Sequence, residues 1–313
     1  MVGKRLEGIL TALPFPGTAD GALRRDVLQR HINDSIAAGV HGFWLNGGTG
    51  CSVYLNADQR RQSLEAAVEA VAGRVPVLCM VAALTTADGI ALARHAQRAG
   101  ANGVSALPPL VYPTTVREII SYLKALKEAA DLPMTYYHVP GLTKVALDAA
   151  HLAELCEQVP LAAIKFSEVD FFKATEIVHR CPNVAILTGF EELLLGGLAM
   201  RCVTGTVGAT QNFLPGPLVE LYTAFQQGDL ARAQRLHAGI SRVAAVQGAF
   251  DFTAVTYAIL NLLGYDYGYP VPPMKCLDDA QIAELKSALL KVLRPEPLHE
   301  RRLIESRDLL FTE

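Results

Sequence analysis

LAAIKFSEVDFFKATEIVHRCPNVAILTGFEE, residues 161–192, is the stretch on which the fold turns. Residues 161–166 are apolar on consecutive positions, interrupted only by Lys165. Asp170 or Val169 then opens a segment of helical period that stops before Pro182, and a second short apolar run follows at 184–187. A strand apolar on consecutive residues is one covered on both faces, the habit of parallel sheets flanked by helices.

Outward from this unit the same pattern recurs about every 28 residues. The strands read at 6–13, 41–45, 75–81, 103–107, 133–138, 161–166, 184–187 and 203–207. Helix boundaries carry their own signals. Asn56 with Gln59 precedes a helix over 63–72 that Gly73 ends; Thr85-x-x-Asp88 opens one ending at Gly100. Thr115-x-x-Glu118 opens 119–130, and Asp148 caps a helix running through Val159, with Pro160 after it. Eight strand–helix repeats in about 210 residues predict a (β/α)8 barrel, a TIM barrel in the α/β class. A doubly wound open sheet rarely needs eight strands so evenly spaced. Beyond residue 210 the strand signals stop. Segments 215–226, 229–246, 252–263 and 278–293 read as helices, with Pro270, Pro272 and Pro273 in a loop. The predicted division is a barrel over 1–225 and a C-terminal helical region over 226–313.

Composition agrees and excludes several classes. The 313 residues are 51% hydrophobic and 19% charged, against about 25% charged in an average soluble chain, so the core is large. Twenty-eight basic and 31 acidic residues leave a net charge of −3, which gives no electrostatic footprint for nucleic acid or anionic lipid. No apolar run reaches 18 residues, so no membrane span is expected. Pro14 and Pro16 break the apolar start, and no signal peptide is read there. Six cysteines without C-x-x-C spacing read as reduced, mostly buried thiols of a cytoplasmic protein.

A barrel carries its chemistry at the C-terminal ends of its strands. Lys165 ends the sixth strand. A lysine in apolar surroundings is either a nucleophilic amine of the Schiff-base kind, or a side chain that snorkels to the rim or pairs with a carboxylate. Tyr136 and Tyr137 end the fifth strand, and alternation sends one into the lumen and the other against the helices. The luminal one is a proton shuttle if it meets the lysine, and otherwise a core aromatic. His138 has no second ligand at metal spacing, which favours a structural role. After strand two, Asn46-Gly47-Gly48-Thr49-Gly50 is either an anion-binding turn or a plain one; it fits neither the P-loop nor the dinucleotide fingerprint. Gly189, Glu191 and Glu192 follow strand seven, and Gly205–Thr210 forms strand eight and its exit. The two carboxylates suit a polyol, or the dipole of a following helix.

Together these motifs resemble the dihydrodipicolinate synthase/N-acetylneuraminate lyase family over about residues 6–295. The family's G-[ST]-T-G-E turn is similar to Gly47–Cys51, its Y-x-x-P to Tyr137-His138-Val139-Pro140, and its strand-six K-x-[ST/D] to Lys165-Phe166-Ser167. The resemblance implies a (β/α)8 barrel with a helical C-terminal region, usually a homotetramer. It implies a pyruvate-dependent class I lyase without metal or organic cofactor, in which Lys165 forms the imine with a 2-oxo acid and Tyr137 moves protons. Thr49 and the amides of Gly47, Gly48 and Gly50 would hold the carboxylate. Ser167, Gly189, Glu191, Glu192 and Gly208 would complete the substrate site, and the small oxo acid would be the partner molecule.

The stretches 137–143 and 164–170 lean towards the N-acetylneuraminate lyase branch. Leu142 stands where dihydrodipicolinate synthases place an arginine for a second carboxylate, so that activity is not expected. Gly48 replaces a relay hydroxyl, Cys51 replaces the turn's Glu, Ala209 replaces a sugar-contacting Ser, and Tyr112 is displaced from the aromatic relay position. Such drift suits a different 2-oxo acid. The alternatives are a dehydratase, deaminase or synthase of another oxo acid, or a non-catalytic oxo-acid-binding barrel.

Overall fold

The computed structural model describes residues 6–293. Eight parallel strands close into a barrel in sequence order. They are β1 (Gly8–Ala12), β2 (Gly42–Leu45), β3 (Val77–Met80), β4 (Gly103–Ala106), β5 (Met134–His138), β6 (Leu161–Phe166), β7 (Ala185–Thr188) and β8 (Gly205–Gly208). The helices between them are α1 (Arg25–Ala37), α2 (Ala57–Val71), α3 (Thr86–Arg98), α4 (Val116–Ala129), the single turn α5 (Pro140–Thr143), α6 (Ala149–Gln158), α7 (Phe171–Arg180) and α8 (Leu194–Ala199). Then follow α9 (Pro215–Gln226), α10 (Leu230–Gly248), α11 (Phe252–Leu262) and α12 (Asp279–Val292). The (β/α)8 expectation therefore holds. The stretch 294–313 of the expected C-terminal region lies outside the described residues.

The capping signals act as read, with adjustments. Asn56 and Gln59 form a reciprocal capping box, but the helix starts at once at Ala57 rather than at Ser63. Thr115 with Glu118 forms a second box. Thr85, Asp148 and Asp170 each accept a backbone N–H in the first turn of their helices. Strand β3 begins at Val77, not Val75, because Pro76 has no N–H to give to the ladder.

The barrel closes where β1 meets β8, with Gly8 opposite Gly205. A side chain at Gly205 would collide with the Gly8 backbone, so this seam is a glycine–glycine contact. One apolar cluster fills the barrel and the space under its helices. A second joins α10, α11 and α12 to Val27 and Ala38 beside α1 and to Phe213 and Leu214 after β8. Between the two lies a polar network: His31 Nδ1 meets the Tyr267 hydroxyl at 2.9 Å and Nε2 meets the Asn212 carbonyl at 2.9 Å. The carbonyl can only accept, so Nε2 carries the proton and Nδ1 accepts from Tyr267. Burial lowers the His31 pKa to about 4, keeping the ring neutral.

Among the described residues no single helix is long and apolar enough to cross a membrane. All six cysteines are free thiols.

Candidate active site

Strands β5 and β6 are neighbours, and their register sets Tyr137 directly beside Lys165. Alternation then separates two faces. Outward, His138 stacks on Phe166 at 5.4 Å. Its Nε2 meets Glu168 at 2.8 Å, and Glu168 accepts from Lys173 at 2.7 Å. His138 is thus tied into a structural ion network behind the strands. Inward, Tyr137 and Lys165 share the lumen with Trp44 of β2.

Lys165 is only 4% exposed, so it does not snorkel to the rim. Among the described residues it has neither a hydrogen-bond acceptor nor a carboxylate at ion-pair distance. Its Nζ lies 4.3 Å from the centroid of the Tyr137 ring and 5.2 Å from a Trp44 ring. The amine is held by π-faces, a contact of roughly 0.5–2 kcal/mol, and no oxygen occupies it. A nucleophile needs this combination of fixed position and freedom from a competing acceptor.

The turn after β2 is built to present amides. Asn46 adopts a left-handed φ of 55°. Its side chain donates to the Arg60 carbonyl at 3.0 Å and accepts from Ser63 at 2.9 Å, which pins the start of the turn. The carbonyls of Gly47 and Gly48 accept from Ser52 and Cys51. Among the described residues, the N–H groups of Gly47, Gly48, Thr49 and Gly50 find no acceptor. Unpaired amides at a strand exit form an anion-binding nest. Gly47 must be glycine, because a Cβ there would lie 2.7 Å from the Trp44 Nε1. Gly48 is exposed, and a Cβ there would stand 3.9 Å from the Tyr137 hydroxyl.

The far side of the mouth is built by the exits of β7 and β8. Glu191 is read from the sequence as a rim carboxylate contacting hydroxyls. Instead it is buried, and its Oε1 accepts the Thr210 N–H at 2.6 Å. Burial, with Glu192 adding repulsion, raises its pKa to about 7, although the Thr210 amide and Lys165 pull the other way. Gly208 is buried against the Glu191 carboxylate, and its N–H donates to Gln211 at 2.7 Å. Ala209 is buried as well. Ser167 sits so close under Gly189 that any side chain at 189 would meet its Oγ. Glu192 is half-buried. Tyr112 is 78% exposed, after β4 and away from the lumen contacts. Trp44 is the luminal residue that sequence reasoning passed over; its signal was parity, two positions after Gly42 and just before the glycine turn. Among the described residues no group of three His, Cys, Asp or Glu converges as a metal site.

An eight-stranded barrel with a luminal lysine and tyrosine at the C-terminal strand ends defines a class of enzyme, and sequence comparison agrees. The profile of the dihydrodipicolinate synthetase family matches residues 5–292. An N-acetylneuraminate lyase of Rhizobium meliloti is 28% identical over 92% of this chain and 96% of its own length. A DapA-like lyase of Halobacterium salinarum, itself uncharacterised, is 32% identical over 91% and 93%. The crystal structure of YagE, a prophage protein of the dihydrodipicolinic acid synthase family from E. coli K12 in complex with pyruvate, superposes with a TM-score of 0.85 at 27% identity, covering 91% of this chain and 97% of that one. The chain belongs to the dihydrodipicolinate synthetase family, and with it to the lyases.

Proposed function

We propose that the protein is a class I, Schiff-base-forming lyase of a 2-oxo acid, with pyruvate as the released or consumed three-carbon unit and a reaction of the N-acetylneuraminate lyase type. The observation that carries this reading is the unligated Lys165 amine, buried and set beside the Tyr137 ring. In the cleavage direction the amine adds to the C2 carbonyl and water leaves, giving the imine. The protonated imine draws in the electron pair of the C3–C4 bond while Tyr137 takes the C4 hydroxyl proton. The aldehyde departs, the enamine is protonated at C3, and water hydrolyses the imine to free pyruvate. The imine is its own electron sink, so this chemistry calls for no metal or organic cofactor. The free amides of residues 47–50, with Thr49, suit the substrate carboxylate.

Two comparisons support the reading: the sialic acid lyase relative, and the neighbouring structure that holds pyruvate. Leu142 is exposed at the mouth and offers nothing to a second carboxylate, which argues against dihydrodipicolinate synthesis. The inward turn of Glu191 leaves Glu192 as the carboxylate available to a hydroxylated tail. That favours a shorter or less hydroxylated oxo acid than a nine-carbon sugar acid, and keeps a dehydratase of such an acid as the second reading. The expected assembly is a homo-oligomer, by family resemblance. The test is borohydride reduction with a panel of 2-oxo acids, read by intact mass, followed by assays of pyruvate release. A stoichiometric pyruvate adduct is expected; no adduct with any oxo acid would overturn the reading.

A further inference from the structure

Trp44 is the only tryptophan in the chain, is fully buried, and touches three separate parts of the site. Its ring faces the Lys165 amine at 5.2 Å. It meets the Tyr137 ring at 6.0 Å and 78°, an edge-to-face contact. Its Nε1 edge lies under Gly47, where a Cβ would come within 2.7 Å. These three contacts reach β6, β5 and the turn after β2. Tyr137 also reaches both Lys165 and the turn, its hydroxyl 3.9 Å from where a Gly48 Cβ would stand, while Trp44 supports the turn from beneath at Gly47.

We propose that Trp44 is a positioning residue of the imine-forming step: it holds the Lys165 amine between two aromatic walls and fixes its height against the amide-lined turn. The inference rests on the Schiff-base reading above. The physical argument is geometric. A lysine side chain has four rotatable bonds, and an amine with no acceptor has nothing polar to fix it. The Tyr137 face alone supplies one wall. The indole, nearly perpendicular to it, closes the second direction and leaves the amine free towards the turn. The flat indole also lets Gly47 approach closely, so the carboxylate-binding amides and the nucleophile share one rigid support. A smaller side chain at 44 would free both ends of the oxo acid's site together. Attack on a carbonyl falls steeply with misplacement of the amine.

The test uses the full chain, pyruvate and borohydride, with the time course of adduct formation read by intact mass. Trp44→Leu is expected to label to the same final stoichiometry at saturating pyruvate, but about tenfold more slowly, the order of loss that a misplaced nucleophile brings. Trp44→Phe keeps an aromatic wall and should recover the rate to within about threefold of wild type. A merely structural role predicts no such recovery pattern at matched thermal stability. In the wild type, the lone indole is expected to change its emission on pyruvate addition, and Lys165→Ala should lose the imine-dependent part of that change. If Trp44→Leu, folded by circular dichroism, labels at the wild-type rate, the positioning role is wrong. If Trp44→Leu fails to fold, Trp44→Phe decides: wild-type emission responsive to pyruvate and a folded Phe variant slowed no more than about threefold uphold the proposal, and a folded Phe variant slowed by more than that overturns it. If the wild type itself gains no adduct, the Schiff-base reading fails and this inference goes with it.

Discussion

The lumen at the ends of β5 and β6 and the network between the barrel and the C-terminal helices are both buried, aromatic and polar, yet they treat their polar groups in opposite ways. In the network, both nitrogens of His31 and the hydroxyls of Tyr257, Tyr265 and Tyr267 have partners. In the lumen the Trp44 N–H is buried without a partner, and among the described residues the less enclosed Lys165 amine, Tyr137 hydroxyl and four turn amides have none either. A buried polar group without a partner costs about 1–3 kcal/mol. The two regions should therefore answer differently to substitution, the network in stability and the lumen in reactivity.

The largest expected effect tests that contrast at its centre. Lys165→Ala should abolish borohydride-dependent pyruvate labelling while the unfolding midpoint stays near wild type; labelling at full stoichiometry would move the nucleophile elsewhere. Next, Tyr137→Phe should lower turnover by roughly 10²–10⁴-fold, with much less change in KM. Unchanged turnover would make Tyr137 a wall and nothing more.

The network should answer in stability instead. His31 is held neutral, its pKa lowered from 6.5 to about 4 by burial. As pH falls below 6.5 the unfolded chain takes up the proton first, so stability is full above that pH and drains away down to about 4. The loss is on the order of 3 kcal/mol, and should appear as a falling urea midpoint that His31→Gln flattens. Tyr267→Phe, which leaves His31 Nδ1 without its donor, should cost about 1–3 kcal/mol and leave the labelling yield untouched. Glu191 runs the opposite way: its pKa is raised from 4.5 to about 7, so its cost is absent below 4.5 and complete above 7. Glu191→Gln keeps the acceptor for Thr210 and should raise the melting temperature at pH 8 but not at pH 4.5. The smallest effect is reserved for Gly48→Ser. A hydroxyl there would come near Tyr137, and a change of only a few-fold in turnover is expected; complete loss would show that the open position is itself required.

Most of the barrel was legible because doubly covered strands write consecutive apolar runs and because Asn56, Thr115 and Asp148 announce their helices. Helix α1 escaped: its N-cap, Arg24, makes no side-chain cap. Helix α8, LLGGLA, has no polar face to give it a period. In the site, Lys165 and Tyr137 could be read from strand position, since a strand's period of two fixes which residues share a face. The partners of Glu191 and Gly208 could not. Where a carboxylate ends up depends on which amide it reaches, and that is not written in spacing. Trp44 looked like core because it is core; its second role appears only when β2 is set across the barrel from β6.

The glycine seam between β1 and β8 has a consequence in time rather than space. Strand β1 can pair with β2 almost as soon as both exist, but its other edge belongs to residues 205–208. At about 5–20 residues per second, a ribosome needs roughly 10–40 s to make the intervening chain. For that interval the nascent sheet carries an open edge of backbone donors and acceptors, the kind of surface on which chains aggregate. Strand β1 is short, and its last partner pairs through Gly205 and Gly208. The barrel is therefore most exposed to misassembly just before its eighth strand leaves the ribosome, and a chain arrested short of Gly205 should be far less soluble than one released a few residues beyond Gly208.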